Sequence, residues 1–137
     1  MKATSLNYSE ISQLSKTDIS YKNQEDNLKS FYNLAPNLEN FEKAIEIKKK
    51  QKLDRKTLHN VLITQYQQIN KLDSRRFLID KLLLENTFSV TTAHQPIICL
   101  GPLYFIYKIV SIINLTQTLK SNFTNYIFIP FFVIGGE

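Results

Sequence analysis

The sequence is short of the residues that usually announce chemistry. It holds one cysteine, Cys99, one methionine and no tryptophan in 137 residues. A lone cysteine excludes an intrachain disulfide and fits a reducing compartment, so a cytoplasmic location is expected. Cys99 follows two isoleucines and reads as a small buried hydrophobe rather than a nucleophile. No Cys/His group has zinc-ligand spacing, so no metal site is expected. Three glycines and four prolines exclude a collagen-like or linker-like chain, and none of the glycines forms a Walker-type phosphate loop. Arginine is scarce as well, at three of the 17 basic residues behind the net charge of +5. The densest basic run, Lys48, Lys49, Lys50 and Lys52, falls at an expected helix end. There lysines complement the helix dipole and stay solvated, which argues against a nucleic-acid surface. The opening stretch, MKATSLNYSE, lacks the apolar centre of a secretory signal.

What the sequence does have is a sharp partition of charge. Of its 29 charged residues, 26 precede Asn86, and only Lys108, Lys120 and Glu137 follow. Residues 1–85 therefore read as a helical segment with solvated faces, and residues 86–137 as buried core. Apolar residues make up 43%, enough for that core. Residues 1–22 show little periodicity and read as an irregular arm. A short helix is expected over 23–33, with Leu28, Phe31 and Tyr32 on one face, and Pro36 ends it. Asn37 is a plausible N-cap for a helix carrying Leu38, Phe41, Ala44 and Ile45 inward. Asp54 caps a third, with Leu58, Val61, Leu62, Tyr66 and Ile69 as its stripe and His59 exposed. Asp73 or Ser74 caps a fourth, with Phe77, Leu78 and Leu82 inward. Amphipathic helices need partner surfaces, and the apolar second half is the expected one.

Residues 87–92 alternate and are rich in β-branched types, which predicts a strand. Gly101 and Pro102 open a helix running to about Lys120, because proline fits the first turn. That helix is apolar on nearly every face, with Lys108, Ser111, Asn114 and Thr118 as its polar stripe. Residues 126–134 form a continuous apolar run, as strands buried on both faces do. The 17-residue run over 97–113 approaches the length of a membrane span. Lys108 within it, at a cost of roughly 2.5–3.5 kcal/mol on insertion scales, and the Gly101–Pro102 break argue against insertion.

The order strand–helix–strand predicts a right-handed parallel crossover. Ligands of such sheets bind beyond the carboxyl ends of strands. Those ends carry His94 and Gln95 after one strand, and Gly135, Gly136 and Glu137 after the next. The stretch from Thr91 to Lys108 thus delivers a histidine to a strand tip, followed by a helix N-terminus whose amides attract phosphate. His94 is the candidate for proton or hydrogen-bond chemistry, with capping of the strand-end loop as its alternative. Gln95 both donates and accepts. Lys108 reaches solvent, pairs within the core or meets a phosphate. Tyr104 and Tyr107 read as packing residues.

SVTTAHQP followed by GPLYFIYKIVSIINL resembles the signature of the bacillithiol biosynthesis cysteine-adding enzymes, the BshC family. YIFIPFFVIGGE is similar to the family stretch that leads into an acidic Glu-Asp-His-Asp segment. DNLKSFYNLAPNLENFEKAI is similar, less specifically, to the family's helical N-terminal region. The resemblance implies an α/β fold: a Rossmann-like parallel βαβ unit preceded by a helical segment, here an incomplete domain. It implies addition of L-cysteine to glucosaminyl-malate, the last step of bacillithiol synthesis. A core similar to class I aminoacyl-tRNA synthetases implies ATP as the activating nucleotide. A coiled-coil arm elsewhere in the family implies a homodimer. Thr92, His94, Gln95, Gly101, Pro102, Tyr104 and Lys108 match the signature, and Gly136 and Glu137 match the start of the acidic segment. The implied roles are catalytic for His94 and Gln95, and nucleotide- or substrate-binding for Thr92, Gly101, Lys108, Gly136 and Glu137. Ala93 replaces a common glycine and Leu100 a common threonine, which puts the loop's freedom and one hydroxyl in doubt. The expected Asp-His-Asp does not follow Glu137, so the chain is expected to be an N-terminal fragment, inactive alone. A non-catalytic remnant or interaction piece, and another class I synthetase-like adenylate-forming enzyme, remain open as alternatives.

Overall fold

Local capping explains where most helices begin. The computed structural model describes residues 4–97 and 101–136. They fall into two compact units, residues 1–50 and 51–137. In the first, helix α1 spans Lys16–Lys22. Ser15 accepts from the Asp18 amide while the Asp18 carboxylate accepts from the Ser15 amide, a capping box that satisfies two orphan donors. The expectation of a mostly irregular arm over 1–22 is therefore corrected at Lys16–Lys22. The short helix expected over 23–33 is a 3-10 turn, Asp26–Phe31, with Phe31 82% exposed. Helix α2 spans Leu38–Lys49, and the Asn37 side chain accepts from the Asn40 amide, as the sequence predicts. Ile45 is its buried residue.

The second unit begins with α3, Arg55–Gln68, capped by Asp54 through the Thr57 amide. Its inner face is Arg55, His59, Leu62, Ile63 and Tyr66, while Leu58, Val61 and Ile69 are exposed. The predicted stripe was centred correctly on Leu62 and Tyr66 and wrong at its margins. Helix α4, Leu72–Asp80, starts after Lys71 without a side-chain cap. Ser74 Oγ instead donates to the Lys71 carbonyl at 2.9 Å, so neither Asp73 nor Ser74 is the cap. Ile79 and, in the 3-10 turn Lys81–Leu83, Leu82 are buried. Phe77 faces solvent at 70% exposure, with the Lys81 ammonium 4.0 Å from its ring centroid.

Strand β1, Thr87–His94, helix α5, Leu103–Asn122, and strand β2, Ile127–Ile134, follow. The strands pair parallel in a two-stranded sheet, from Thr87 opposite Ile127 to His94 opposite Ile134. This is the predicted strand–helix–strand unit, with β1 two residues longer, so that His94 closes the strand instead of opening the loop. Helix α5 buries Ile112, Thr116 and Leu119. Thr116 removes the cost of its buried hydroxyl by donating to the Ile112 carbonyl at 2.6 Å. Phe128 and Ile129 of β2 complete this core. The expectation of burial all round is corrected on α5, where Leu103, Tyr107 and Val110 are exposed, and at the end of β2, where Val133 and Ile134 are. A two-stranded sheet and one crossover helix have too little surface to cover both faces of those elements. On the other side, α3, α4 and β2 line a cleft of about 180 Å³ that includes Tyr66, Arg75, Leu82 and Pro130. Among the described residues, no helix is long and apolar enough to cross a membrane.

Candidate functional site

The start of β1 is clamped before its tip can be positioned. Arg55, on the first turn of α3, donates to the carbonyls of Leu82 at 3.0 Å, Thr87 at 3.1 Å and Glu85 at 3.3 Å. The rigid guanidinium fork suits this three-way contact in a way an ammonium does not. Thr87 Oγ1 donates to the Lys81 carbonyl at 2.6 Å. The strand thus leaves the helical hairpin in a set direction.

At the other end, the His94 carbonyl accepts from the Gly135 amide at 3.0 Å. This joins the tips of the two strands and brings Gly135 beside the histidine. Gly136 follows, exposed, and a Cβ at either glycine would meet no atom of the described residues within 4 Å. This edge is where parallel sheets receive ligands. Thr92 lies two residues before His94 and so shares its strand face; both are half-buried.

The His94 imidazole has two polar partners. Nδ1 lies 2.9 Å from the Gln95 carbonyl oxygen. A carbonyl only accepts, so Nδ1 carries the proton. Nε2 is hydrogen-bonded to the Tyr104 hydroxyl. The ring also meets Phe105 edge-on at 5.5 Å, and Phe105 rests edge-on against Phe132 at 5.0 Å, an arrangement aromatic quadrupoles favour. His94 is therefore held by α5 from one side and by its own loop from the other. Gln95 contributes its backbone carbonyl to this grip, and its side chain is exposed.

Lys108 sits one turn beyond Tyr104 on the same face of α5. Its ammonium donates to the Ala93 carbonyl at 3.2 Å and lies 5.3 Å from the Tyr104 ring centroid. It is drawn toward β1 rather than lying with Ser111, Asn114 and Thr118 on a solvated stripe. An ammonium has three protons, so this contact leaves donors for an anion. Pro102 is the N-cap of α5 and has no side-chain cap bond. Gly101 precedes it at φ +54°, and a Cβ there would stand 2.1 Å from Ile97 Cγ2. Both the left-handed conformation and the close approach require glycine. Glu137, Cys99 and Leu100 lie outside the described residues.

Of the predicted site residues, His94, Lys108 and the Gln95 backbone meet at one sheet edge, Gly136 follows Gly135 beside them, Thr92 lies on the strand face of His94, and Gly101 lies in the turn before α5. Tyr104, expected to pack, instead places its hydroxyl on His94; the i, i+4 spacing of Tyr104 and Lys108 was the available signal. Among the described residues, no group of three His, Cys, Asp or Glu side chains is placed to hold a metal. Elsewhere, His59 on α3 is half-buried rather than exposed, with Nε2 2.9 Å from Asp80 Oδ1.

Residues 1–137 match the family model described as the N-terminal Rossmann-like domain of bacillithiol biosynthesis BshC. Curated relatives named "Putative cysteine ligase BshC" align along the whole chain. The relative from Flavobacterium johnsoniae is 43% identical over 139 residues, covering 100% of this chain and 26% of the relative. That from Christiangramia forsetii is 37% identical over 139 residues, with the same 100% and 26% coverage. That from Flavobacterium psychrophilum is 37% identical over 142 residues, again covering 100% and 26%. The chain thus spans about a quarter of the length of the curated relatives it matches. With its parallel strand–helix–strand unit and its match across every residue, this chain belongs to the BshC family, as an N-terminal Rossmann-like domain.

Proposed function

We propose that the whole-length protein is a ligase that joins L-cysteine to glucosaminyl-malate, the last step of bacillithiol biosynthesis, and that residues 87–137 form the first half of its active site. The observation that carries this reading is the convergence of His94, Tyr104 and Lys108 at the carboxyl edge of a parallel sheet. The name shared by the relatives supports the same reaction class.

Forming an amide from a carboxylate needs an activated acyl group, and ATP supplies one. The residues present suit such a nucleotide in kind. The N-terminus of α5 favours anionic oxygen, and the Lys108 ammonium offers it further donors. The space beside Gly135 and Gly136 admits backbone-close contact, with Glu137 next in the chain. His94 and Gln95 face the reacting groups, Thr92 lines the strand face behind them, and Gly101 shapes the turn. The remaining half of the site, and the contacts of a cytoplasmic homodimer, belong to the rest of the polypeptide.

The test is to incubate the whole-length protein with ATP, L-cysteine and glucosaminyl-malate and to follow bacillithiol by mass spectrometry. Product that appears only when ATP is present supports the reading. Product formed equally without ATP removes the nucleotide role, and absence of product under both conditions removes the ligase assignment.

A further inference from the structure

The two partners of His94 specify more than its position. Nδ1 faces the Gln95 carbonyl at 2.9 Å, and that oxygen has no proton to give. A neutral imidazole carries one N–H and one bare nitrogen. With Nδ1 protonated, Nε2 is the bare nitrogen, and the hydrogen bond with Tyr104 runs from the phenol O–H to the ring. Tyr104 is itself constrained. It sits on the first turn of α5, its ring is 5.1 Å from the imidazole centroid, and the Lys108 ammonium lies 5.3 Å from it on the side of the Ala93 carbonyl.

We infer that Tyr104 is a positioning residue that holds neutral His94 in its Nδ1–H form, with Nε2 presented only as a hydrogen-bond acceptor. This deepens the proposed function and rests on the strand tip being its reaction site. A group received directly by neutral His94 takes the place of the Tyr104 hydroxyl on Nε2 and so brings a proton of its own: a hydroxyl or an ammonium. Phosphate and carboxylate oxygens meet the ammonium of Lys108 instead, because the one proton of the Tyr104 hydroxyl is already given to Nε2. The direction is opposite to that of a histidine donating to a phosphate.

The tautomer is directly readable. Long-range proton–nitrogen spectra of the histidine-labelled whole-length protein contain the His94 signal, which is assigned by its absence from a His94→Gln variant. At about pH 8.5, above the ordinary histidine range, His94 of the unsubstituted protein is expected to show a protonated Nδ1 and a bare Nε2. In Tyr104→Phe, which removes only the oxygen of a side chain about half exposed, the Nε2–H form is expected to gain at least about threefold, the factor set by losing one ordinary hydrogen bond. A proton on Nε2 in the unsubstituted protein would overturn the inference. So would an unchanged tautomer ratio in a folded Tyr104→Phe variant. The unsubstituted spectrum decides the tautomer even if the variant fails to fold. No substrate enters the measurement, so loss of the ligase reading and loss of this inference are separate results.

Discussion

The Arg55 guanidinium on α3 donates to the carbonyl of Thr87, the first residue of β1, at 3.1 Å. With the Leu82 and Glu85 carbonyls it forms one clamp between the helical hairpin and the sheet. Hydrogen bonds from a charged group contribute about 1.5–3 kcal/mol net. Arg55→Ala is expected to lower unfolding stability by about 2–3 kcal/mol in urea titration. Arg55→Lys should recover only part of this, because an ammonium cannot span three carbonyls in one plane. A loss below about 0.5 kcal/mol for Arg55→Ala would show that the clamp contributes nothing beyond an ordinary surface residue.

His59 and Asp80 tie α3 to α4. The hydrogen bond with Asp80, and secondarily that with Asn60, holds the His59 imidazole above the ordinary histidine value, with burial and, less, Arg76 opposing. A raised value means that folding favours the protonated ring. The contribution is complete below the unfolded value of about 6.5 and is lost as pH rises through the higher folded value. The thermal midpoint is therefore expected to fall as pH rises from about 6 to about 9. Both His59→Gln and Asp80→Asn should flatten that slope. A slope unchanged in either variant would assign the dependence to other groups.

Gly101 combines φ +54° with a Cβ position 2.1 Å from Ile97 Cγ2. Gly101→Ala is expected to cost about 1–3 kcal/mol from backbone strain, with the steric overlap added. Adding Ile97→Ala removes the overlap and leaves the strain, so the double variant should be more stable than the sum of the single effects. Strict additivity would show that the turn rearranges and that the close approach is not maintained.

Much of this organisation is readable without coordinates, and the failures have physical causes. The charge-poor stretch after Asn86, with its alternating residues 87–92 and its two apolar runs, locates β1, α5 and β2 because each needs burial that the polar first half does not. Asn37 and Asp54 are recognisable as caps because capping is local. Ser15 and Asp18 are equally local, but their three-residue spacing stands beside a helix, α1, whose apolar periodicity is weak. The pairing of His59 with Asp80 spans 21 residues and two helices, so nothing in the charged context of α3 signals it. The outward turn of Phe77 depends on Lys81 covering its ring. Tyr104 reaches His94 across ten residues and a turn. The meeting of the two strand tips at His94 and Gly135 is legible from the strand–helix–strand order, whereas the direction of the hydrogen bonds there is not, because it depends on which carbonyl faces Nδ1.

The central claim is that the tip of β1 performs the chemistry of a cysteine-adding ligase, and replacing His94 in the whole-length protein tests it most directly. With saturating ATP, kcat/KM for joining L-cysteine to glucosaminyl-malate is expected to fall at least about tenfold in His94→Ala, and by about 10²–10⁴ if the imidazole moves a proton in the transition state. Activity within about twofold of the unsubstituted protein, in a variant with the same thermal midpoint, would contradict the claim.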